Sequence, residues 1–303
     1  MSSGLCEGRI VAVTGAGNGL GRAHALAFAA QGAKVVVNDL GGGRDGEGAS
    51  SGPAQQVVEE IIAAGGEAVA NTDSIASWKG AESLIDQAVD EFGGLDVLVN
   101  NAGILRDRMI VSMSEQDWDD VLAVHLKGTF APLHHAARYW RGCAKQGRAV
   151  DARVINTTSP SGLFGNAGQG NYGAAKAGIA GLTVIAAAEL ARYGVTVNAV
   201  APTALTRLTA DIEMMRQAAE DSDLSPEAIS PLVVWLGSAE SRDVTGRVFG
   251  AMGSRITVLE GWANGPSVTG ETRWTPGDLT GVIPALVAKA APNADALGER
   301  PGR

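Results

Sequence analysis

The sequence predicts a single α/β domain built on a doubly wound parallel sheet, and three observations carry that expectation. Short β-branched runs alternate with longer Ala-rich segments along most of the 303 residues. These runs are apolar on both sides of their alternation, as strands covered by helices on both faces must be. A glycine-rich turn stands directly after the first run, where a strand must pass sharply into a helix. Repeated strand–helix–strand units place the strands in one parallel sheet.

Taken in order, strands are expected at 10–14, 34–38, 67–71, 97–100, 153–157, 196–200 and 248–250. A helix is expected to open at about Arg22 after the glycine turn, and another near Pro53. Ser114-Glu115-Gln116-Asp117 has the form of a capping box, followed by Trp118, Val121 and Leu122 at helical spacing. Residues 41–52 are rich in Gly, Ser and charge and read as an insertion loop. Beyond Gly261 the strand periodicity stops. Trp262, Trp274 and one helical stretch at 279–291 remain before a polar tail that is expected to lack order. Residues 1–260 form the domain and 261–303 an extension of it.

Composition narrows the functional classes. A hydrophobic fraction of 45% is ample for one large core, and a net charge of -9 excludes an electrostatic grip on nucleic acid or on an anionic membrane. Cys6 and Cys143 are far apart in sequence, so neither a disulfide framework nor a zinc site is expected. His134 and His135 are adjacent and point to different helix faces, which is poor metal geometry. No signal peptide or bilayer-length apolar run is recognised, and the chain ends Pro301-Gly302-Arg303 rather than in a Ser-Lys-Leu address. The expectation is a cytoplasmic enzyme with a small-molecule substrate and no metal.

Thr14-Gly15-Ala16-Gly17-Asn18-Gly19-Leu20-Gly21 is the turn of a Rossmann-type nucleotide site. Its glycines let backbone approach a pyrophosphate, and the helix that follows offers unpaired N–H groups and the positive end of its dipole. Asp39 closes the second strand, where a carboxylate accepts hydrogen bonds from a ribose 2'-hydroxyl and repels a 2'-phosphate. NAD(H) is therefore expected over NADP(H). Arg44 is the only nearby candidate cation for a 2'-phosphate, and as part of the insertion it reads as a solvated loop charge. Asp73 either caps a helix near Ser74 or bonds an adenine amino group.

The chemistry is expected from Ser159, Tyr172 and Lys176. Tyr172 and Lys176 stand four residues apart on one helix face, and Ser159 ends the fifth strand, at the sheet edge where open α/β proteins bind ligands. A free phenol titrates near pH 10, but Lys176 and an oxidised nicotinamide both favour tyrosinate. Tyr172 then takes or gives the hydroxyl proton while Ser159 bonds the substrate oxygen.

Together Thr14 to Gly21, Asn100-Asn101-Ala102-Gly103, Ser159 and Tyr172-Gly173-Ala174-Ala175-Lys176 resemble the short-chain dehydrogenase/reductase family over about residues 8 to 250. Val35 to Gly42, Gly103-Ile104-Leu105-Arg106-Asp107-Arg108 and Gly165-Asn166-Ala167-Gly168-Gln169 are similar to its (3R)-hydroxyacyl-CoA dehydrogenase branch, a part of peroxisomal multifunctional enzyme type 2. The resemblance implies Gly15, Asn18, Gly19, Leu20 and Gly21 at the phosphates and Asn101, with Ala102 and Gly103, by the adenosine ribose. It implies Asp73 and Ser74 at the adenine, Tyr172 and Lys176 by the nicotinamide ribose, and Pro202 to Leu205 at the carboxamide. His125 departs from the Asn of most members, which removes a family-based role for that side chain; Thr203 departs from the usual Gly.

The implied reaction interconverts (3R)-3-hydroxyacyl-CoA and 3-oxoacyl-CoA. Arg106, Arg108 and Arg207 are candidates for the CoA phosphates, and Leu163, Phe164, Leu205 and Leu208 for the acyl trough. A hydroxysteroid dehydrogenase, a 3-oxoacyl-carrier-protein reductase and a silent NAD-binding regulator are the alternatives. The small residues Ala174, Ala175, Ala177, Gly178, Ala180 and Gly181 suit close helix packing in a homodimer or homotetramer.

Overall fold

The computed structural model describes residues 4–43, 45, 48, 50–205 and 223–300. Arg44, Arg207 and Leu208, named above, lie outside them. An eight-stranded sheet has the order β3-β2-β1-β4-β5-β6-β7-β8. Its strands are β1 (Ile10–Thr14), β2 (Lys34–Asn38), β3 (Glu67–Asn71), β4 (Val97–Asn100), β5 (Ala152–Thr157), β6 (Val195–Thr203), β7 (Val248–Met252) and β8 (Arg255–Leu259). The first seven are parallel and β8 returns antiparallel to β7. The fold is Rossmann-like, and order reverses between β1 and β4, which opens a crevice at their carboxyl ends.

Strand alternation divides the core between two faces. Val11, Val13, Val35, Val37, Val97 and Val99 point to one side. There they meet helices α1 (Gly19–Ala30), α2 (Gly52–Ala63) and α8 (Ser230–Gly237). Ala12, Val36, Leu98 and Val154 point to the other. That side is covered by α3 (Trp78–Phe92), α5 (Gly128–Lys145) and α7 (Gly170–Leu190). Fully buried β-branched residues on both faces explain why these runs read as continuous apolar strings.

Three expectations about elements change. Helix α1 opens at Gly19 rather than near Arg22, since the Arg22 N–H already reaches back to the Asn18 carbonyl at 3.3 Å. Strand β8 was missed because a two-residue turn, Gly253-Ser254, joins it to β7; Gly253 has φ 53, which such a hairpin requires. The run Gly170–Tyr193 is long and apolar enough to cross a membrane, contrary to the sequence reading. Its composition serves packing here, since α7 buries Asn171, Lys176 and Thr183 as well as Ile179.

The expected capping box is present on α4 (Glu115–Leu122), where the Ser114 hydroxyl accepts the Asp117 N–H at 3.1 Å and the Asp117 carboxylate accepts the Ser114 N–H at 3.1 Å. Helix α9 (Leu279–Lys289) buries no side chain. After it, the chain makes a turn around Asp295, whose carboxylate accepts the Leu297 and Glu299 N–H groups at 2.9 Å.

Candidate active site

A cleft of about 380 Å³ lies at the carboxyl ends of the strands, over the crevice between β1 and β4. At one end stand Gly15, Asn18, Gly19, Leu20, Asp39, Asp73 and Ser74; at the other stand Ser159, Tyr172, Lys176 and Pro202, with Asn101, Ala102 and Gly103 between.

The glycine end is shaped by close approach. Gly15 has φ 63, and a Cβ there would meet the Ala102 Cα at 2.6 Å. A Cβ on Gly17 would sit 2.8 Å from the Asp39 carboxyl carbon. Asn18 precedes α1 without a side-chain capping bond, so the first N–H groups of α1 keep their positive end for a ligand. The Asp39 carboxylate accepts the Gly17 N–H at 2.8 Å and the Gly41 N–H at 2.7 Å, joining the glycine turn to the loop after β2. Arg22, the nearest cation on α1, is paired with Glu60 of α2. The cradle thus fits a dinucleotide: glycine where a side chain would collide, and a fixed carboxylate at the end of β2.

Asp73 does not cap α3. Ser77 does, accepting the Gly80 N–H at 3.4 Å, while the Asp73 carboxylate accepts the Asn71 amide at 3.2 Å and faces the cleft. Asn101 uses its amide N–H to bond the Thr14 and Gly15 carbonyls at 3.0 and 3.1 Å, so it holds the glycine turn as well as lining the cleft. Gly21 is not among the lining residues. It lies under the turn, where a side chain would collide with the Gly15 carbonyl and the Asn101 amide. Leu205 also stands off the cleft, its N–H drawn to the Leu224 carbonyl at 2.6 Å.

At the other end, β5 delivers Ser159 to the head of a short helix, α6 (Pro160–Leu163), where its hydroxyl accepts the Ser161 N–H at 3.2 Å. Helix α7 is fixed against the sheet by a buried polar chain. Asn100 donates to Asn156 at 2.9 Å, and Asn156 to the Thr183 hydroxyl at 2.9 Å. Its first turn is stitched to the loop after β4 and to α4 by Asn171, which donates to the Arg106 and Asp117 carbonyls at 3.0 and 2.9 Å. Tyr172 and Lys176 consequently share one face beside Ser159. The Ser159 hydroxyl lies near enough to the Tyr172 phenol to favour its ionised form. The Lys176 Nζ donates to the Thr157 carbonyl at 2.6 Å and lies 5.6 Å from the Tyr172 ring centre.

Burial dominates the protonation of this pair. It raises the Tyr172 pKa, opposed by the Ser159 hydroxyl and reinforced by the Asp107 charge. It also pulls Lys176 down to about 7. The expectation that Lys176 draws the phenol down is thus outweighed by desolvation of both groups. A phenol so placed is protonated at neutral pH, and the amine beside it exchanges a proton near neutrality.

The loop candidates separate. Arg106 is paired with Asp120 at 3.1 Å, and Arg108 donates to the Asp107 carbonyl at 2.9 Å; neither lines the cleft. Phe164 packs beside Gly298 of the tail, and Ala296 and Leu297 line the cleft, so the segment expected to lack order follows a described path there. Nothing in the local sequence signals that return. Val124 and His125 also line the cleft. For His125 the signal was present as a departure from the family pattern.

Comparison with known proteins is consistent with this geometry. The family model described as short chain dehydrogenase matches residues 9–217. A crystal structure of a short chain dehydrogenase from Mycobacterium avium superimposes with a TM-score of 0.87 at 59% identity, covering 96% of this chain and 99% of that one. The hydroxyacyl-CoA dehydrogenase ChsB1 of Mycobacterium tuberculosis is 43% identical over 287 residues, 91% of this chain and 88% of that protein. Peroxisomal multifunctional enzyme type 2 of Drosophila melanogaster is 47% identical over 257 residues, which are 85% of this chain but only 40% of that longer protein.

Proposed function

Because this chain belongs to the short-chain dehydrogenase family and is an oxidoreductase acting on CH–OH groups, we propose that it uses NAD(H) to interconvert (3R)-3-hydroxyacyl-CoA and 3-oxoacyl-CoA. The observation that carries the chemistry is the meeting of the Ser159 hydroxyl, the Tyr172 phenol and the Lys176 ammonium at one end of the cleft whose other end holds Asp39. Preference for NAD(H) rests on that carboxylate, bonded through both oxygens, and on Arg22 being committed to Glu60.

Bound NAD supplies the hydride acceptor for the substrate carbon. In reduction the Tyr172 phenol gives its proton to the substrate oxygen; in oxidation it first loses that proton and then, as tyrosinate, takes the proton of the substrate hydroxyl. Ser159 bonds the substrate oxygen and stabilises the charge that develops on it. Lys176, with its pKa near 7, favours the tyrosinate when protonated and passes protons onward.

The thioester reading draws on the 103–108 and 165–169 segments and on the similarity to a hydroxyacyl-CoA dehydrogenase. Both segments border the cleft, and Ala296 and Leu297 give it an apolar wall suited to an acyl chain. The chain acts as a homodimer or homotetramer. Support comes from α7, whose exposed side carries Ala174, Ala177, Gly181, Val184 and Ile185, beside an apolar groove of Leu122, Leu126, Phe130 and Leu182. Its two cysteines are buried and unpaired, in keeping with a cytoplasmic setting.

Tyr172→Phe tests the mechanism. Turnover of acetoacetyl-CoA with NADH should fall by about a hundredfold or more, while NADH affinity stays within about twofold. A variant that keeps half its turnover removes Tyr172 from its role.

A further inference from the structure

The head of the short helix α6 carries a second hydroxyl that the chemistry above leaves unused. Ser159 and Ser161 stand two residues apart there, and both line the cleft at its substrate end. The Ser161 N–H donates to the Ser159 hydroxyl oxygen at 3.2 Å, which ties the two residues together and leaves the Ser159 proton free to be given to another acceptor. Helix α6 is itself wedged against α7. A Cβ on Gly162 would meet the Ala177 nitrogen at 2.6 Å, and one on Gly173 would meet the Ser161 carbonyl oxygen at 3.1 Å. So close a fit holds Ser161 in place beside the first turns of the helix that carries Tyr172 and Lys176.

A hydroxyl inside a helix commonly turns back onto the carbonyl four residues earlier, as Thr183 does onto Ile179 at 2.8 Å. For Ser161 that carbonyl belongs to Thr157, which accepts from the Lys176 Nζ at 2.6 Å instead. The nearby Thr158 hydroxyl is likewise committed, donating to the Lys176 carbonyl at 2.7 Å. Among the described residues no group takes the Ser161 hydroxyl, and the residue is half-buried. It is thus a donor held at the open cleft, where water or a substrate oxygen is the acceptor it can meet.

We propose that Ser161 is a specificity-determining residue for a β-oxo thioester: its hydroxyl donates to the thioester oxygen on C1 while Ser159 bonds the oxygen on C3. This rests on the reading of the substrate as a 3-oxoacyl or 3-hydroxyacyl thioester. Such a molecule carries two oxygens on carbons separated by one methylene, and two hydroxyls two residues apart on one helix head match that pair. A simple ketone or a steroid alcohol has no second oxygen at that spacing and can use only Ser159. One anchored oxygen leaves the molecule free to turn about it, whereas two fix the plane of the dicarbonyl and present one face of C3 to the hydride. A donor left without an acceptor also penalises any ligand that lacks the second oxygen.

The test compares acetoacetyl-CoA with S-(3-oxobutyl)-CoA, a thioether in which a methylene replaces the thioester carbonyl. Values of kcat/KM with NADH are measured for both compounds in the parent, Ser161→Ala and Ser161→Thr. Intrinsic differences in reactivity between the two compounds cancel, because only the change in their ratio from one variant to another is read. Ser161→Ala should lower the ratio of acetoacetyl-CoA to thioether by about fivefold or more, the worth of one hydrogen bond to a substrate, and Ser161→Thr should hold it within about twofold of the parent. A ratio in Ser161→Ala within about twofold of the parent overturns the proposal, since a merely structural role slows both compounds alike; so does a Thr variant that behaves like Ala. A parent that reduces neither CoA compound defeats the thioester reading and this inference with it, whereas a parent active on acetoacetyl-CoA with an indifferent Ser161→Ala defeats the inference alone.

Discussion

The nucleotide half of the cleft is held by groups close together in the chain, whereas the substrate half is assembled from segments far apart. Asp39 reaches Gly17, 22 residues away, and Gly41, two residues away. Asn71 and Asp73 bond each other at two residues' separation. In the other half, Asn171 reaches Arg106 across 65 residues, Gln169 reaches Asp107 across 62, and the tail at Gly298 comes to rest on Phe164. The first half is therefore a largely local motif with one long-range partner, Asn101, which reaches Thr14 across 87 residues, whereas the second depends throughout on segments far apart in the chain. Substitutions in the two halves should leave different marks.

The largest mark is expected at Asp39. The parent should bind NAD(H) at least about tenfold more tightly than NADP(H), and Asp39→Ala should narrow that gap while also weakening NAD(H), because the Gly17 and Gly41 bonds go with it. Isothermal titration with the four cofactor forms reads both effects, and equal affinities in the parent would remove the cofactor assignment. Acyl-CoA binding, measured separately, should hardly move.

A smaller and opposite mark is expected from the tail. Removing residues 292–303 takes away Ala296 and Leu297 and frees Phe164. KM for a medium-chain 3-oxoacyl-CoA should shift by about threefold or more, with NADH affinity within about twofold. An unchanged KM would place the tail outside the substrate half and break the comparison.

This contrast also explains what was legible in the sequence. Strands β1 to β5 were readable because both-face burial writes apolar runs, and the glycine turn because its steric demands act between neighbours. Ser159, Tyr172 and Lys176 were readable from spacing on one strand end and one helix face. Gly21 and Leu205 stand off the cleft for a common reason. Each is turned away by a backbone contact that a motif does not record, Gly21 beneath the Gly15 carbonyl and Leu205 toward Leu224. Asp73 could not be settled because Ser77, four residues on, supplies the cap instead. Strand β8 and the tail's return to the cleft were hidden, since one depends on a two-residue turn and the other on contacts more than a hundred residues apart in sequence.

The central claim is that the two halves meet to oxidise a (3R)-3-hydroxyacyl thioester at the expense of NAD. It is tested most directly by kcat/KM for (3R)- and (3S)-3-hydroxybutyryl-CoA and for a free hydroxysteroid, with NAD saturating. The account predicts the 3R thioester ahead of both others by about tenfold or more, the margin that one well-placed interaction in the transition state confers. A free steroid alcohol ahead by the same margin would contradict the thioester reading and put the steroid alternative in its place.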